Sequence, residues 1–269
     1  MIPFVKMCGS GNDFVVIDNR ALNMEITPSW VRGVCCRKFG VGADGILVVE
    51  TSKKASFKLR IFNCDGSEAE MCGNGARCVA RYAYLQGIVG NKMQFETLAG
   101  LIEAEIINQK VRVKLIPPKD VKLNIKINGY CVHFVNMGVP HTILFVDQID
   151  KLDVIGLGRE LRFHRYFSTG FSERLQGTNV NFVELVSNSR VKVRTYERGV
   201  ENETLACGTG SAASVCIAAL LRRVNSPVEV VTKGGKTITV YFEKDGTEIK
   251  NLYIEGDADI TFEGKLLFR

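Results

Sequence analysis

Only three histidines occur in 269 residues, and no two cysteines form a Cys-x-x-Cys pair. Zinc ribbons and fingers need closely spaced Cys and His ligands. The doublet Cys35-Cys36 and the spacing Cys72-x5-Cys78 fit neither, so no metal is expected. Long apolar runs are also missing. The longest small-and-apolar stretch is 211–221, well short of the roughly 20 residues that span a bilayer, so no membrane association is expected. Neither a complete Gly-x-x-x-x-Gly-Lys-Ser/Thr phosphate loop nor a Gly-x-Ser-x-Gly elbow occurs, which argues against a P-loop and an α/β-hydrolase nucleophile. Gly9-Ser10-Gly11 precedes a strand, Phe14–Asp18, where a dinucleotide loop would follow one. No segment suggests pyridoxal phosphate, and no cofactor is expected. Basic residues never run beyond two, so nucleic-acid binding is not expected. The net charge of +6, from 35 basic against 29 acidic residues, suits attraction of small anionic substrates. The first residues lack a signal-peptide layout. Nine cysteines, an odd number, then read as reduced thiols in the cytoplasm. Cys35, Cys36, Cys78, Cys131 and Cys216 are expected to be small buried hydrophobes.

Two cysteines stand apart. Cys72-Gly-Asn-Gly-Ala-Arg and Cys207-Gly-Thr-Gly-Ser-Ala each run a thiol through a Gly-rich turn into a helix. A helix N-terminus offers unpaired amides and partial positive charge, so it binds anions and favours thiolate. The two motifs lie 135 residues apart. Phe57–Asn63 matches Val191–Glu197 at an offset of 134, and Met93–Gly100 matches Val228–Gly235 at 135. A constant offset signals a tandem duplication.

Periodicity gives each copy its contents. Phe57/Leu59/Ile61, Val191/Val193, Val111/Val113/Leu115 and Ile238/Val240/Phe242 alternate with polar residues, as half-buried strands do. The segment 211–221 is apolar on nearly every face and reads as a helix buried all round, and the helix after Cys72 is similar, with Gly87 near its end. Amphipathic helices are expected at Thr27-Pro28 and over Asp153–Arg162. Strands surrounding one buried helix imply a sheet curled around it. The fold class is therefore α+β, with two pseudo-symmetric halves, each a barrel-like sheet wrapped around a central helix. The halves are 1–116 and 117–256, meeting near Pro117-Pro118.

Polar residues flank both thiols. Asn12, Asn63, Asn179 and Asn181 lie at strand or turn borders, where an isolated Asn usually caps a turn. Glu197-Arg198 reads either as an exposed ion pair or as a pair holding an ammonium and a carboxylate. His141 either satisfies a local hydrogen bond or tunes a nearby thiol.

The stretches Gly9–Phe14, Arg60–Cys78, Glu197-Arg198-Gly199 and Ala206–Ser211 resemble the diaminopimelate epimerase family, and the resemblance runs from residue 4 to the C-terminus. That family comprises cofactor-independent racemases with two barrel-like halves. The resemblance implies interconversion of LL- and meso-2,6-diaminopimelate, on the way to lysine and peptidoglycan precursors. It assigns Cys72 and Cys207 as the acid/base pair. Gly73, Asn74, Gly208 and Thr209 offer amides to the substrate carboxylate, and Asn12, Asn63, Asn179, Glu197 and Arg198 bind substrate. His141 and Glu197 adjust the thiols. It also implies a return strand, 257–269, joining the first half, and leaves room for a homodimer. Two departures stand out: Val139 where many members have Asn, and Gly45 where some have Gln.

The α-proton of an amino acid is weakly acidic, so the site must stabilise developing negative charge, which opposed helix termini can do. One cysteine then acts as thiolate and the other as thiol, on opposite faces of the carbon. Facing thiols of this kind are expected to join as a disulfide on oxidation. Alternatives are a racemase for a smaller acidic amino acid such as glutamate, a proline-type epimerase, and a non-catalytic amino-acid-binding protein of the same fold.

Overall fold

Alternating strands and two Cys-capped helices assemble, in a computed structural model that describes residues 1–169 and 177–267, into two units. One comprises Met1–Lys114 with Gly256–Arg269; the other is the contiguous Leu115–Glu255.

The first unit contains β1 (Ile2–Gly9), β2 (Asn12–Asp18), β3 (Gly45–Glu50), β4 (Lys58–Asn63), β5 (Glu68–Ala69), β6 (Lys92–Thr97), β7 (Gly100–Ile107), β8 (Lys110–Lys114) and the late strand β18 (Asp259–Leu266). Its sheet runs β18-β1-β2-β3-β4-β6-β7-β8. Only the β2/β3 and β4/β6 pairs are parallel, and β5 pairs with β4. Two helices serve this sheet, α1 (Pro28–Cys35) and α2 (Gly73–Leu85). Side chains alternate across a strand, so β2 and β3 serve both faces. Val15, Ile17, Ile46 and Val48 cluster with Val31 and Val34 of α1, and each full burial contributes about 1.5–3 kcal/mol. Phe14 and Leu47 point the other way, against α2 beside Gly75. That helix touches β1, β2 and β3 at one end of the sheet order and β7 and β8 at the other, so the sheet wraps around it.

The second unit contains β9 (Lys119–Ile127), β10 (Tyr130–Asn136), β11 (Pro140–Phe145), β12 (Asn179–Ser187), β13 (Arg190–Glu197), β14 (Asn202–Thr204), β15 (Val228–Thr232), β16 (Thr237–Asp245) and β17 (Glu248–Gly256). Their order is β9-β10-β11-β12-β13-β15-β16-β17, again with only the third and fifth pairs parallel, β11/β12 and β13/β15. Helices α3 (Val154–Arg162) and α4 (Arg165–Thr169) follow β11, and α5 (Gly208–Leu220) contacts β10, β11, β12, β13 and β16. Leu161 and Phe167 pack with Val180 and Phe182 on one face of β12. Asn181, on the other, lies against Gly210 of α5.

The two sheets thus repeat one another strand for strand, which explains the constant offset. Thr97 and Thr232 both donate their hydroxyls to a carbonyl across a tight turn. The glycines that follow, Gly100 (φ +111°) and Gly235 (φ +74°), adopt a backbone that L side chains avoid. The amphipathic helices start where expected, with Thr27 and Asp153 as caps.

Three expectations need correction. The helix after Cys72 is not buried all round: its last turn reaches solvent at Tyr84 and Leu85, although Gly87 does terminate it, with φ +66° just past the cap Gln86. Cys36 and Cys131 are half-buried. Cys36 sits where the chain leaves α1, and Cys131 follows the exposed hairpin turn at Tyr130.

Candidate active site

Each unit builds a cradle around its cysteine in the same way. Cys72 and Cys207 are the N-caps of α2 and α5, with extended backbones (φ −142°, ψ 118° and φ −119°, ψ 111°). The thiol of Cys72 accepts the N–H of Gly75 at 3.5 Å, and that of Cys207 accepts the N–H of Gly210 at 3.4 Å. A donor aimed at sulfur favours the charged form. The fourth amide of each helix, Ala76 or Ser211, bonds the cysteine carbonyl. A helix leaves its first amides unpaired. Those of Gly73 and Asn74 in one unit, and of Gly208 and Thr209 in the other, are therefore the donors left for a bound anion.

Close approach dictates the glycines here. A Cβ at position 210 would overlap Asn181 Oδ1, and one at position 75 would lie 2.9 Å from Leu47 Cδ2.

In the first unit Asn12 lies beside Cys72, because the α2-facing side of β2 begins with this residue. Its Oδ1 is 3.9 Å from Cys72 Sγ and 3.5 Å from Asn74 Nδ2, while its Nδ2 donates to Asp44. With the amide fixed that way round, the oxygen faces the sulfur and accepts the thiol proton. Asn63 ends β4 exposed and donates to Ser67 Oγ at 3.0 Å. Among the described residues it makes no hydrogen bond to Cys72, Asn74 or Asn12. Gly45 pairs with Asn63 across the β3–β4 ladder, and a Cβ there would overlap the Phe62 carbonyl, so a larger residue requires a backbone shift.

In the second unit Thr209 Oγ1 lies 3.6 Å from Cys207 Sγ. His141 is fully buried, and its Nδ1 is 3.1 Å from Asn181 Nδ2. Because Asn181 Oδ1 accepts from Thr195 Oγ1 at 3.0 Å, its amide nitrogen donates, and the imidazole proton falls on Nε2. Burial, with Arg198 adding to it, lowers the His141 pKa to about 3. Any effect of His141 on a thiol is therefore that of a neutral ring. Asn179 clamps two loops, donating to the Pro140 carbonyl and accepting from the Arg198 amide. Glu197 accepts the Thr204 hydroxyl at 2.9 Å. Arg198 is half-buried, its pKa is lowered by burial and by Arg162, and no side chain among the described residues hydrogen-bonds its guanidinium. Such a group is suited to a carboxylate. Val139 is half-buried and brings no polar atom.

The amide of Asn181 and the guanidinium of Arg77 were not among the expected site residues. Asn181 gives no motif, since only the strand register carries it to Gly210. Arg77 had a signal: with Arg81 it is one of two charges in a helix otherwise expected to be buried, and the one nearer the thiol. No cluster of three His, Cys, Asp or Glu residues able to hold a metal occurs among the described residues, and no helix there is long and apolar enough to cross a membrane.

Known proteins share this architecture. A probable proline racemase from Agrobacterium radiobacter K84, solved with bound carbonate, superimposes with a TM-score of 0.75 at 17% identity, covering 100% of this chain and 94% of that one. A phenazine biosynthesis protein of the PhzF family from Bacillus anthracis gives 0.74 at 15% identity, covering 99% of each chain. These likenesses show that the fold is one seen before. The sequence narrows it further. The profile of diaminopimelate epimerase matches residues 4–119 and 133–260, and the diaminopimelate epimerase of Aquifex aeolicus (strain VF5) is 46% identical over 98% of both chains. The chain belongs to the diaminopimelate epimerase family.

Proposed function

We propose that this protein is an isomerase that interconverts LL- and meso-2,6-diaminopimelate, a step toward lysine and peptidoglycan precursors, with Cys72 and Cys207 as its two acid/base groups. The observation that carries the reading is the equal treatment of two thiols, each capping the central helix of a repeated unit and each taking the N–H of the third helical residue. A simple binding protein has no need of two sulfurs each aimed at by a helix-start amide. The amides left at Gly73, Asn74, Gly208 and Thr209 hold the carboxylate next to the reacting carbon and stabilise the charge that develops as the α-proton leaves. One cysteine, as thiolate, takes that proton, and the other, as thiol, returns one to the opposite face. The direction of reaction decides which does which.

The remaining polar groups orient the substrate. Arg198, half-buried and with no side-chain hydrogen bond to its guanidinium among the described residues, receives a carboxylate, and Glu197 beside it receives an ammonium. Asn12 and Asn74 line the Cys72 cradle, Asn63 lies at its β4 edge, and Asn179 sets the loop that presents Arg198. All nine cysteines are free thiols, which suits a reducing compartment such as the cytoplasm.

The test is exchange of α-protons in D2O, followed by NMR for each diaminopimelate stereoisomer. Wild type incorporates deuterium at Cα, and Cys72→Ser or Cys207→Ser lowers turnover by about 100-fold or more. Near-native turnover in either variant refutes the assignment. Exchange confined to glutamate or proline transfers the function to another racemase.

A further inference from the structure

Arg77 is fully buried in α2, one turn after Cys72, and the mechanism above makes no use of it. Its guanidinium is bonded throughout. Nη2 donates to Ser10 Oγ at 2.8 Å and to Asn74 Oδ1 at 2.9 Å, Nη1 to the Gly73 carbonyl at 3.4 Å, and Nε to the Asp257 carbonyl at 3.2 Å. Two of these acceptors, Gly73 and Asn74, are the residues whose amides form the cradle. The Gly256 backbone closes over the guanidinium, since a Cβ there would lie 3.1 Å from Nε. Ser10 passes the connection on, its amide and hydroxyl both donating to Asp257 Oδ1. Asn74 passes it to Asn12, which faces the Cys72 sulfur.

The duplication supplies a control. At the same offset α5 carries Ala212, also fully buried, so the second unit has a methyl group where the first has a cation. A buried charge costs several kcal/mol unless it is paired and fully bonded. The second unit shows that the fold does not require one at this position.

We propose that Arg77 is a positioning residue for Cys72, fixing Asn74 and the Ser10–Asn12 turn and supplying a positive charge that favours the Cys72 thiolate. The charges and titratable groups around this half-site are few. Asp257 on the return segment opposes the effect through its carboxylate, as does Asp44 behind Asn12, the latter countered by Arg37. Asp13 is held by Lys6 and Arg37. Cys78 and Cys8 are kept protonated by burial, which raises the pKa of both. Arg77 is thus the one cation bonded directly to the cradle residues among the described residues. The direction agrees with the guanidinium itself: burial lowers its pKa, and the Cys72 sulfur is among the groups that pull it back up.

This inference rests on Cys72 being an acid/base group, but its test does not require turnover. Alkylation of wild type, Arg77→Met, Arg77→Gln and Arg77→Lys by iodoacetamide is followed against pH by peptide mass spectrometry. The Cys207 peptide in each digest is the internal control. In the two neutral variants the Cys72 midpoint rises by about 1 pH unit or more, a tenfold fall in alkylation rate below it, while Cys207 is unmoved. Arg77→Lys keeps the Cys72 midpoint but lowers the Cα exchange rate, because one ammonium cannot serve Ser10, Asn74 and two carbonyls together. An unmoved Cys72 midpoint in a folded neutral variant overturns the proposal. Should both neutral variants fail to fold, Arg77→Lys decides: an unchanged midpoint with reduced exchange supports it, and wild-type exchange overturns it. If Cys72→Ser retains exchange, the proposed function fails instead, whatever the alkylation shows.

Discussion

Replacing Gly210 with Ala tests how tightly the second cradle is built. In isolation the change favours a helix by about 1 kcal/mol. The new Cβ, however, overlaps Asn181 Oδ1, and Asn181 has nowhere to go. It is fully buried, accepts from Thr195, and donates to His141 and to the Thr142 carbonyl at 3.2 Å. Rotating it away breaks three bonds, each worth about 1 kcal/mol net and more where a buried partner is left unmet. The balance is a loss of about 2–4 kcal/mol. The same Cβ sits 3.2 Å from Cys207 Sγ, so the thiol is displaced as well, and turnover falls by about 100-fold. Gly75→Ala is the matched control. Its Cβ meets the movable end of Leu47 and lies 3.6 Å from Cys72 Cβ, so stability changes by about 1 kcal/mol or less. Urea unfolding of both variants, with exchange at Cα measured in parallel, decides the matter. Equal unfolding midpoints for the two would show that Asn181 is free to move and refute the reasoning.

Other outcomes follow from the same geometry. His141 titrates near 6.5 when unfolded and about 3 when folded, so acid drives protons onto the unfolded chain that the folded one refuses. Its contribution is full above pH 6.5 and is lost toward pH 3, at about 1.4 kcal/mol per unit. His141→Gln removes that slope, and parallel stability curves for variant and wild type between pH 4.5 and 7 would contradict it. Asn179→Ala frees the Pro140 carbonyl and the Arg198 amide; it should raise KM for diaminopimelate about tenfold with a smaller change in kcat, as steady-state kinetics will report. Val139→Asn adds a polar partner and should increase the preference for diaminopimelate over glutamate, measured as the ratio of kcat/KM values.

Much of this was legible before any coordinates. The offset linking Cys72 to Cys207 and Thr97 to Thr232 contained the duplication, and Thr27 and Asp153 announced two helices by their capping chemistry. Alternation told which residues share a strand face. It could not tell which end of a central helix that face reaches, so Asn181 looked like one more turn residue until parallel pairing with β11 brought it beside His141. Arg77 was hidden for a different reason. Its partners Ser10, Asn74 and Asp257 are 67, 3 and 180 residues away, and no periodicity encodes the longer separations. Exposure at Cys36 and Cys131 depends on where a helix and a hairpin stop, which composition does not specify.

The pairing of Ile2 with Leu266 and Cys8 with Asp259 along β1 and β18 has a consequence for biogenesis. The unit around Cys207 is one uninterrupted stretch and has all its strands as soon as translation passes residue 255. The unit around Cys72 must wait for a strand that the ribosome makes only after the whole of the other unit, together with Gly256 and Asp257, which seal the guanidinium of Arg77. Folding during synthesis therefore runs against the order of the gene: the later copy has its full set of strands first, and the earlier one stays ajar until β18 has been made.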